Sequence, residues 1–246
     1  AMSFGYNPSV AKWSPFHGAL YAVIESVAKI TAIGGDYRKI RLTLQEYFEK
    51  IGSDPLKWGK PFSALLGAYL AQKELLIPAI GGKDSMSGTF KDLNVPPTLV
   101  SFALAPVEAD KVISPEFKET GSHVVLVKAV RDRYEIVDFQ KLRDNYCAIY
   151  NGIQKGSILS AHTIKTGGIA EAVSKMSFGN RIGMQFTTKL DESQLFSYDP
   201  GSLILEIQAY TDLNTLFPDT DYLVLGETVG DPVIRIDETE LQISLL

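Results

Sequence analysis

The stretch Leu75-Leu76-Ile77-Pro78-Ala79-Ile80-Gly81-Gly82-Lys83-Asp84-Ser85-Met86-Ser87-Gly88 decides how the rest of the chain is read. An apolar run of strand length leads into two glycines and polar residues follow at once, which predicts a short buried strand feeding a glycine-containing turn. The turn sets an ammonium (Lys83), a carboxylate (Asp84) and two hydroxyls (Ser85, Ser87) close together. Glycine lets backbone approach an anion, amides and hydroxyls donate to its oxygens, and lysine adds a point charge. Gly81, Gly82, Lys83, Asp84, Ser85 and Ser87 are therefore a candidate loop for a phosphate or phosphoribosyl group. A solvated turn after a buried strand is the competing reading. The segment is not a Walker motif, because Asp84 follows Gly82-Lys83 where Ser or Thr is required and Ile77 stands where the first glycine belongs.

Upstream of this turn, Leu20, Val23, Ile24, Val27 and Ile30 recur at helical spacing before Gly34-Gly35, predicting a helix over 18–32. Asp54-Pro55 is a helix start, and Phe62, Leu65, Leu66, Tyr69 and Leu70 are expected to be that helix's buried stripe. Downstream, Pro96-Pro97 opens a long strand, Thr98–Val107. The segment Ile113–Ser122 is rich in Pro, Gly and charge and reads as a connection, dividing the chain into residues 1–117 and 118–246. Beyond it the pattern predicts strands at 123–130, 157–162, 182–187, 202–209, 222–226, 233–236 and 241–245. A helix is expected at 138–154 with Phe139, Leu142, Tyr146, Ile149, Tyr150 and Ile153 on one side, and a second after Gly168 with Ile169, Ala172, Val173 and Met176 facing inward. The fold class is α+β.

Composition narrows the function classes. The 246 residues are 45% hydrophobic and carry a net charge of −5 from 24 basic and 29 acidic side chains, with no basic stripe to track phosphates, so nucleic acid is not an expected partner. One cysteine, Cys147, excludes an internal disulfide framework and favours a reducing, cytoplasmic setting. No segment has the length of a membrane span, so no membrane partner is expected. Ala1-Met2 reads as a vector-derived residue before a starting methionine, the mark of a piece cut from a longer protein.

A second candidate cluster is Ser160-Ala161-His162-Thr163-Ile164-Lys165-Thr166-Gly167-Gly168, a strand end and Gly-Gly turn entering a helix whose first amides favour negative ligands. His162 is either an acid, base or anchor, or a structural ring bonded to backbone. Glu25 lies off the first helix's apolar stripe, where it is either an oxygen ligand for a metal or half of an i to i+4 pair with Lys29. Cys147 reads as core or near-core packing, Trp13 and Trp58 as packing residues, and His17 and His123 have no metal-ligand spacing. No catalytic residue is assigned.

Taken together, the segments Glu25–Asp36, Leu42–Gly52, Asp54–Gly67, Ala79–Gly88 and Val95–Ala103 resemble the large, single-chain form of phosphoribosylformylglycinamidine synthase. Gly82-Lys83-Asp84-Ser85-Met86-Ser87 is similar to a hallmark of that family's second synthetase repeat. Val95-Pro96-Pro97-Thr98-Leu99-Val100-Ser101-Phe102-Ala103 is similar to the strand after it. Ala161–Gly168 and Leu195-Phe196 resemble the C-terminal subdomain of the aminoimidazole ribonucleotide synthetase-like superfamily. The resemblance implies a partial N-terminal subdomain followed by a C-terminal α+β subdomain. It also implies an ATP- and glutamine-dependent ligase in which ammonia displaces phosphate from activated formylglycinamide ribonucleotide, with ATP and Mg²⁺ as cofactors of the complete enzyme. The implied partners are the first synthetase repeat and glutaminase domain of the same polypeptide, together with nucleotide ligands. Self-association of the truncated repeat is a further expectation.

The chain departs from the family pattern at its nucleotide site. Glu25 matches the family's Glu-x-x-x-Asn pair, but Lys29 stands in place of the asparagine, and Thr163, Lys165 and Thr166 replace the aspartates and serine of the His-Asp-x-Ser-Asp-Gly-Gly turn that ends in Gly167-Gly168. The resemblance thus implies that this repeat's nucleotide site is altered, metal-poor or lost, and that the chain is inactive alone. A degenerate structural repeat that binds nothing is the alternative.

Overall fold

The structure, a computed structural model, describes residues 1–218 and 220–246. It divides into two compact units, residues 1–30 with 36–106 and residues 31–35 with 107–246.

The first unit contains β1 (Met2–Gly5), α1 (Pro8–Trp13), α2 (Pro15–Ala32), β2 (Arg41–Tyr47), α3 (Pro55–Leu75), β3 (Ala79–Lys83), a small hairpin of β4 (Thr89–Phe90) and β5 (Leu93–Asn94), and β6 (Thr98–Leu104). Its main sheet has the order β1-β6-β2-β3, with only the β2–β3 pair parallel. The helix expected at 18–32 is α2, which is buried almost all round from Gly18 to Ile30. It meets the sheet on one side, where Ser26 Oγ lies 2.9 Å from Ser101 Oγ, and α3 on another, where Gly67 abuts the backbone at Phe16.

That second contact corrects the expected face of α3. Phe62, Leu65, Leu66 and Tyr69 are exposed by 45% or more, and the buried face is Pro61, Ala64, Gly67, Ala68, Ala71 and Leu75. A Cβ on Gly67 would lie 2.0 Å from the Phe16 carbonyl oxygen, so closeness of approach rather than side-chain size selects the face. Trp13 and Trp58 are also exposed, by 69% and 53%. Asp54 caps α3 as the sequence indicates, accepting from the Leu56 amide. The helix runs to Leu75, with Leu76 in the left-handed conformation (φ 58°). The strand expected within 75–80 therefore begins at Ala79, includes both glycines, and is largely exposed.

The second unit contains β7 (His123–Val127), α4 (Phe139–Gln154), β8 (Ile158–Thr163), α5 (Gly168–Phe178), β9 (Gly183–Phe186), α6 (Glu192–Phe196), β10 (Leu203–Ile207), α7 (Leu213–Leu216), β11 (Tyr222–Val229), β12 (Val233–Ile236) and β13 (Thr239–Gln242). A seven-stranded sheet has the order β13-β12-β9-β11-β7-β10-β8 and is antiparallel except between β12 and β9. β10 is buried at every position, so both faces of the sheet are covered. On one face, Ile169, Ala172, Val173 and Met176 of α5 pack with Val124, Leu126, Ile204 and Leu225. Leu142, Tyr146, Ile149 and Ile153 of α4 are buried, as their spacing predicts, and Cys147 beside them is half-buried.

The division expected at 117/118 lies eleven residues beyond the observed one, which follows Pro106. Phe117 is fully buried in the second unit's core and its amide donates to the Met176 carbonyl. Immediately after it, the buried carboxylate of Glu206 on β10 accepts from the Lys118 amide (3.0 and 2.8 Å), the Glu119 amide (2.9 Å) and Ser160 Oγ (2.7 Å). Composition marked 113–122 as a linker, whereas these bonds make it part of the sheet's support. Truncation in Glu206→Ala leaves two partly buried backbone amides and the buried Ser160 hydroxyl without this partner. It is expected to cost about 3 kcal/mol or more of stability, read as a lower urea midpoint, with Glu206→Gln intermediate.

Candidate functional site

The loop that follows β3 is held as an extension of the sheet. Gly81, Gly82 and Lys83 pair with Thr43, Leu44 and Gln45 of β2. Beyond the strand, the Ser85 amide donates to the Glu46 carbonyl (3.1 Å), the Phe48 amide to the Ser85 carbonyl (2.9 Å) and the Gly88 amide to the Phe48 carbonyl (2.9 Å). The backbone of 81–88 is thereby fixed while its chemistry stays accessible. Lys83 and Asp84 are exposed, Ser85 is half-buried, and Ser85 Oγ and Ser87 Oγ lie 2.8 Å apart. The two glycines differ in role. A Cβ on Gly82 would come 2.3 Å from the Leu44 carbonyl oxygen, so that glycine serves strand pairing, whereas Gly81 faces open space. At the loop's end a cavity of about 240 Å³ is lined by Ser87 and Gly88 with the side chains of Tyr47, Phe90 and Leu93.

Beside the loop stands a residue that the sequence reading did not single out. Glu46 is 8% exposed, and its Oε1 is buried without a hydrogen-bond partner. Burial, and then the charge of Asp84, push its carboxyl up to about 7. A signal was present in the alternation Leu42, Leu44, Glu46, which puts the carboxylate on the strand face that carries two apolar residues.

Glu25 and Lys29 on α2 engage each other. Lys29 Nζ lies 2.6 Å from Glu25 Oε1, donates to the Phe4 carbonyl (2.7 Å) and sits 4.7 Å from the centre of the Phe4 ring. The i to i+4 pairing proposed from spacing is present, and the lysine's remaining valence is directed to β1.

The second candidate cluster lies in the second unit. Thr163 ends β8 and is buried, Lys165 is half-buried, Thr166 is exposed, and Gly168 opens α5 with φ of 68°. Nδ1 of His162 donates to the Thr163 carbonyl (2.7 Å), the backbone-bonded alternative, and burial holds its pKa below the ordinary histidine value. Glu171, one turn into α5, places Oε2 2.8 Å from the Gly167 amide and also pairs with Lys175. The negative group at this helix start is thus supplied by the helix itself. Hydrogen bonding from Lys175 is the leading influence that holds the Glu171 carboxyl below its usual range. His17 lies 2.8 Å from Ser14 Oγ and His123 3.1 Å from the Ala209 carbonyl. Among the described residues no three His, Cys, Asp or Glu side chains gather as a metal site, and no helix is long and apolar enough to cross a membrane.

No protein-family model matches the chain. The phosphoribosylformylglycinamidine synthase subunit PurL of Thermoplasma volcanium is 23% identical over 265 residues, which span 95% of this chain and 33% of that protein. PurL of Wolinella succinogenes is 26% identical over 228 residues, 85% of this chain and 31% of that protein. The chain thus spans about a third of the curated relatives it matches. Among solved structures, Thermotoga maritima PurL complexed with FGAR superimposes over 100% of this chain and 45% of that one, with a TM-score of 0.82 at 14% identity. The HypE–HypF complex matches 98% of this chain and 88% of that one, with a TM-score of 0.70 at 16% identity. The fold is aminoimidazole ribonucleotide synthetase-like, and the resemblance to phosphoribosylformylglycinamidine synthase extends over nearly the whole chain.

Glu46 yields a test of the site's electrostatics. The group titrates near 4.5 when unperturbed and about 7 in the fold, so between these values the folded chain holds a proton that the unfolded chain has lost. Its contribution to stability is complete below pH 4.5 and is lost as pH rises through 7. Glu46→Gln should therefore flatten the fall in thermal stability between pH 5 and 8, and should stabilise the chain at pH 8 by roughly 1–2 kcal/mol.

Proposed function

We propose that this chain is a part of the ligase that converts formylglycinamide ribonucleotide to formylglycinamidine ribonucleotide, working in the cytoplasm as one stretch of a larger single polypeptide. The observation that carries the reading is continuity: relatives described as subunits of that enzyme align with 95% of the chain rather than with one motif. In the complete enzyme, ATP activates the amide oxygen of the substrate and ammonia, freed from glutamine by the glutaminase domain, displaces phosphate. The chain's own contribution is the loop Gly81–Ser87. Its backbone is immobilised by β2, so little ordering cost is left for ligand binding, and Lys83 with the two serine hydroxyls offers charge-assisted donors to phosphate oxygens. Asp84 and Glu46 behind them disfavour a second anion, which suits one phosphate group rather than a polyphosphate chain.

The nucleotide site of this repeat is altered in this reading. Glu25 is already neutralised by Lys29, and Glu171 accepts from the amide of Gly167, the cap residue before α5. Positions 163, 165 and 166 carry no carboxylate. This donor set does not fit a magnesium ion, which needs several oxygen ligands in octahedral array, and no step is assigned to a metal here. The same pairings favour a second reading, a degenerate repeat that supports the active repeat and binds no ligand.

Substrate kinetics of the complete enzyme separate the two readings. Lys83→Ala should raise KM for formylglycinamide ribonucleotide about tenfold, a loss of about 1.4 kcal/mol, if the loop holds phosphate, and should leave kinetics unchanged if the repeat is purely structural. The isolated chain should give no ammonia- and ATP-dependent turnover. Titration calorimetry of the complete enzyme should show no magnesium-dependent nucleotide binding that responds to Lys29→Ala or Lys165→Ala. Tight binding of that kind would overturn the altered-site reading.

A further inference from the structure

We propose that the second unit contains a separate small-molecule site that takes a compact ligand with an apolar, flat body and one anionic group, a carboxylate or a phosphate monoester. The site is a cavity of about 390 Å³, within the roughly 300–1,000 Å³ of small-molecule sites. Leu126 of β7 and Leu223 of β11 lie among its lining residues, with Ile164 from the β8–α5 connection, Ile169 from the first turn of α5 and Leu190 from the loop before α6. Three of these, Leu126, Ile164 and Ile169, belong to the hydrophobic core around α5. The cavity is therefore a place where the core itself reaches the surface, which makes an apolar body its natural occupant.

The rim is rigid and its charge is specific. Arg131 pairs with Asp199, both side chains being 14% exposed or less, and also donates to the Ala129 and Pro200 carbonyls. Asp199 accepts from Ser202 Oγ (2.6 Å), which in turn accepts from the Ala129 amide (2.8 Å). The segment after β7 and the segment before β10 are thus locked together before any ligand arrives, which lowers the ordering cost of binding. Of the charged residues that line the cavity, Asp199 is balanced by Arg131, and Asp221 by Lys141 at 2.7 Å. Lys128 is exposed and has no acidic partner among the described residues. An apolar floor with an ammonium at its edge that no described carboxylate neutralises selects an amphipathic anion over a neutral or cationic molecule. Ile169 brings the cavity to the start of α5, but the Gly167 amide there is already taken by Glu171 and is not among the lining groups.

Methyl NMR of the whole 246-residue chain tests the site, with phenyl phosphate, benzoate, benzyl alcohol and inorganic phosphate as probes. Phenyl phosphate or benzoate should shift the methyls of Ile164, Ile169, Leu190 and Leu223 saturably, with Kd on the order of 1 mM, and the tighter of the two identifies the anionic group. Benzyl alcohol, which lacks the charge, and inorganic phosphate, which lacks the apolar body, should bind at least about tenfold more weakly. Lys128→Glu should weaken the better probe by about tenfold or more, and Leu223→Trp should block it while circular dichroism reports an intact fold. Should Leu223→Trp fail to fold, the surface change at Lys128 still decides the matter. Shifts that do not saturate, equal binding of benzyl alcohol, or indifference to Lys128→Glu would overturn the proposal.

Discussion

The backbone ladder of β2 is the constraint on which the first unit depends. It is paired along its length with β6 on one side and with β3 on the other, and the ladder continues past the strand's end, where Glu46 and Phe48 take up Ser85 and Gly88. One strand therefore sets both the sheet register and the conformation of the loop that bears Lys83, Asp84, Ser85 and Ser87. It also explains why a carboxylate can be buried there. A side chain on a strand held from both sides cannot swing out to water without breaking the ladder, so Glu46 keeps its burial and adjusts its proton affinity instead.

Much of the second unit was legible because its local signals agree with its packing. Asp138 caps α4 by accepting from the Lys141 amide, and the apolar faces of α4 and α5 are those their spacing assigns. In the first unit, local and tertiary signals part. Along α3 the large residues Phe62, Leu65 and Tyr69 suggested the core, yet the buried face is that of Ala64, Gly67 and Ala71, and at Gly67 the backbone of α2 comes too close for any side chain. Periodicity reports where bulky side chains fall; it does not report how close a neighbouring helix must come. β2 itself was recognised only as a stretch resembling a family segment, because a seven-residue strand with Thr43, Gln45 and Glu46 inside it offers weak alternation.

The candidate sites were legible to different degrees. Residue types at 81–88 indicated phosphate chemistry, but the sequence could not show that Gly82 is spent on packing while Gly81 is not. The segment before β7 illustrates the opposite error. Proline, glycine and charge at 113–122 suggested a connection, and nothing local reveals that the buried carboxylate of Glu206, far along the chain, anchors the Lys118 and Glu119 amides. Long-range hydrogen bonds of this kind turn a linker composition into structure.

The self-made contact at the start of α5 has a thermodynamic consequence. Because Glu171 is tethered one turn from the Gly167 amide, its carboxylate behaves as an intramolecular competitor at an effective concentration in the millimolar range or above. A free anion arriving at this turn meets a position that is occupied at every moment by a ligand that cannot diffuse away. The Gly167 amide is thus withheld from free anions by the chain itself, and an anion reaching this turn must first displace a tethered carboxylate.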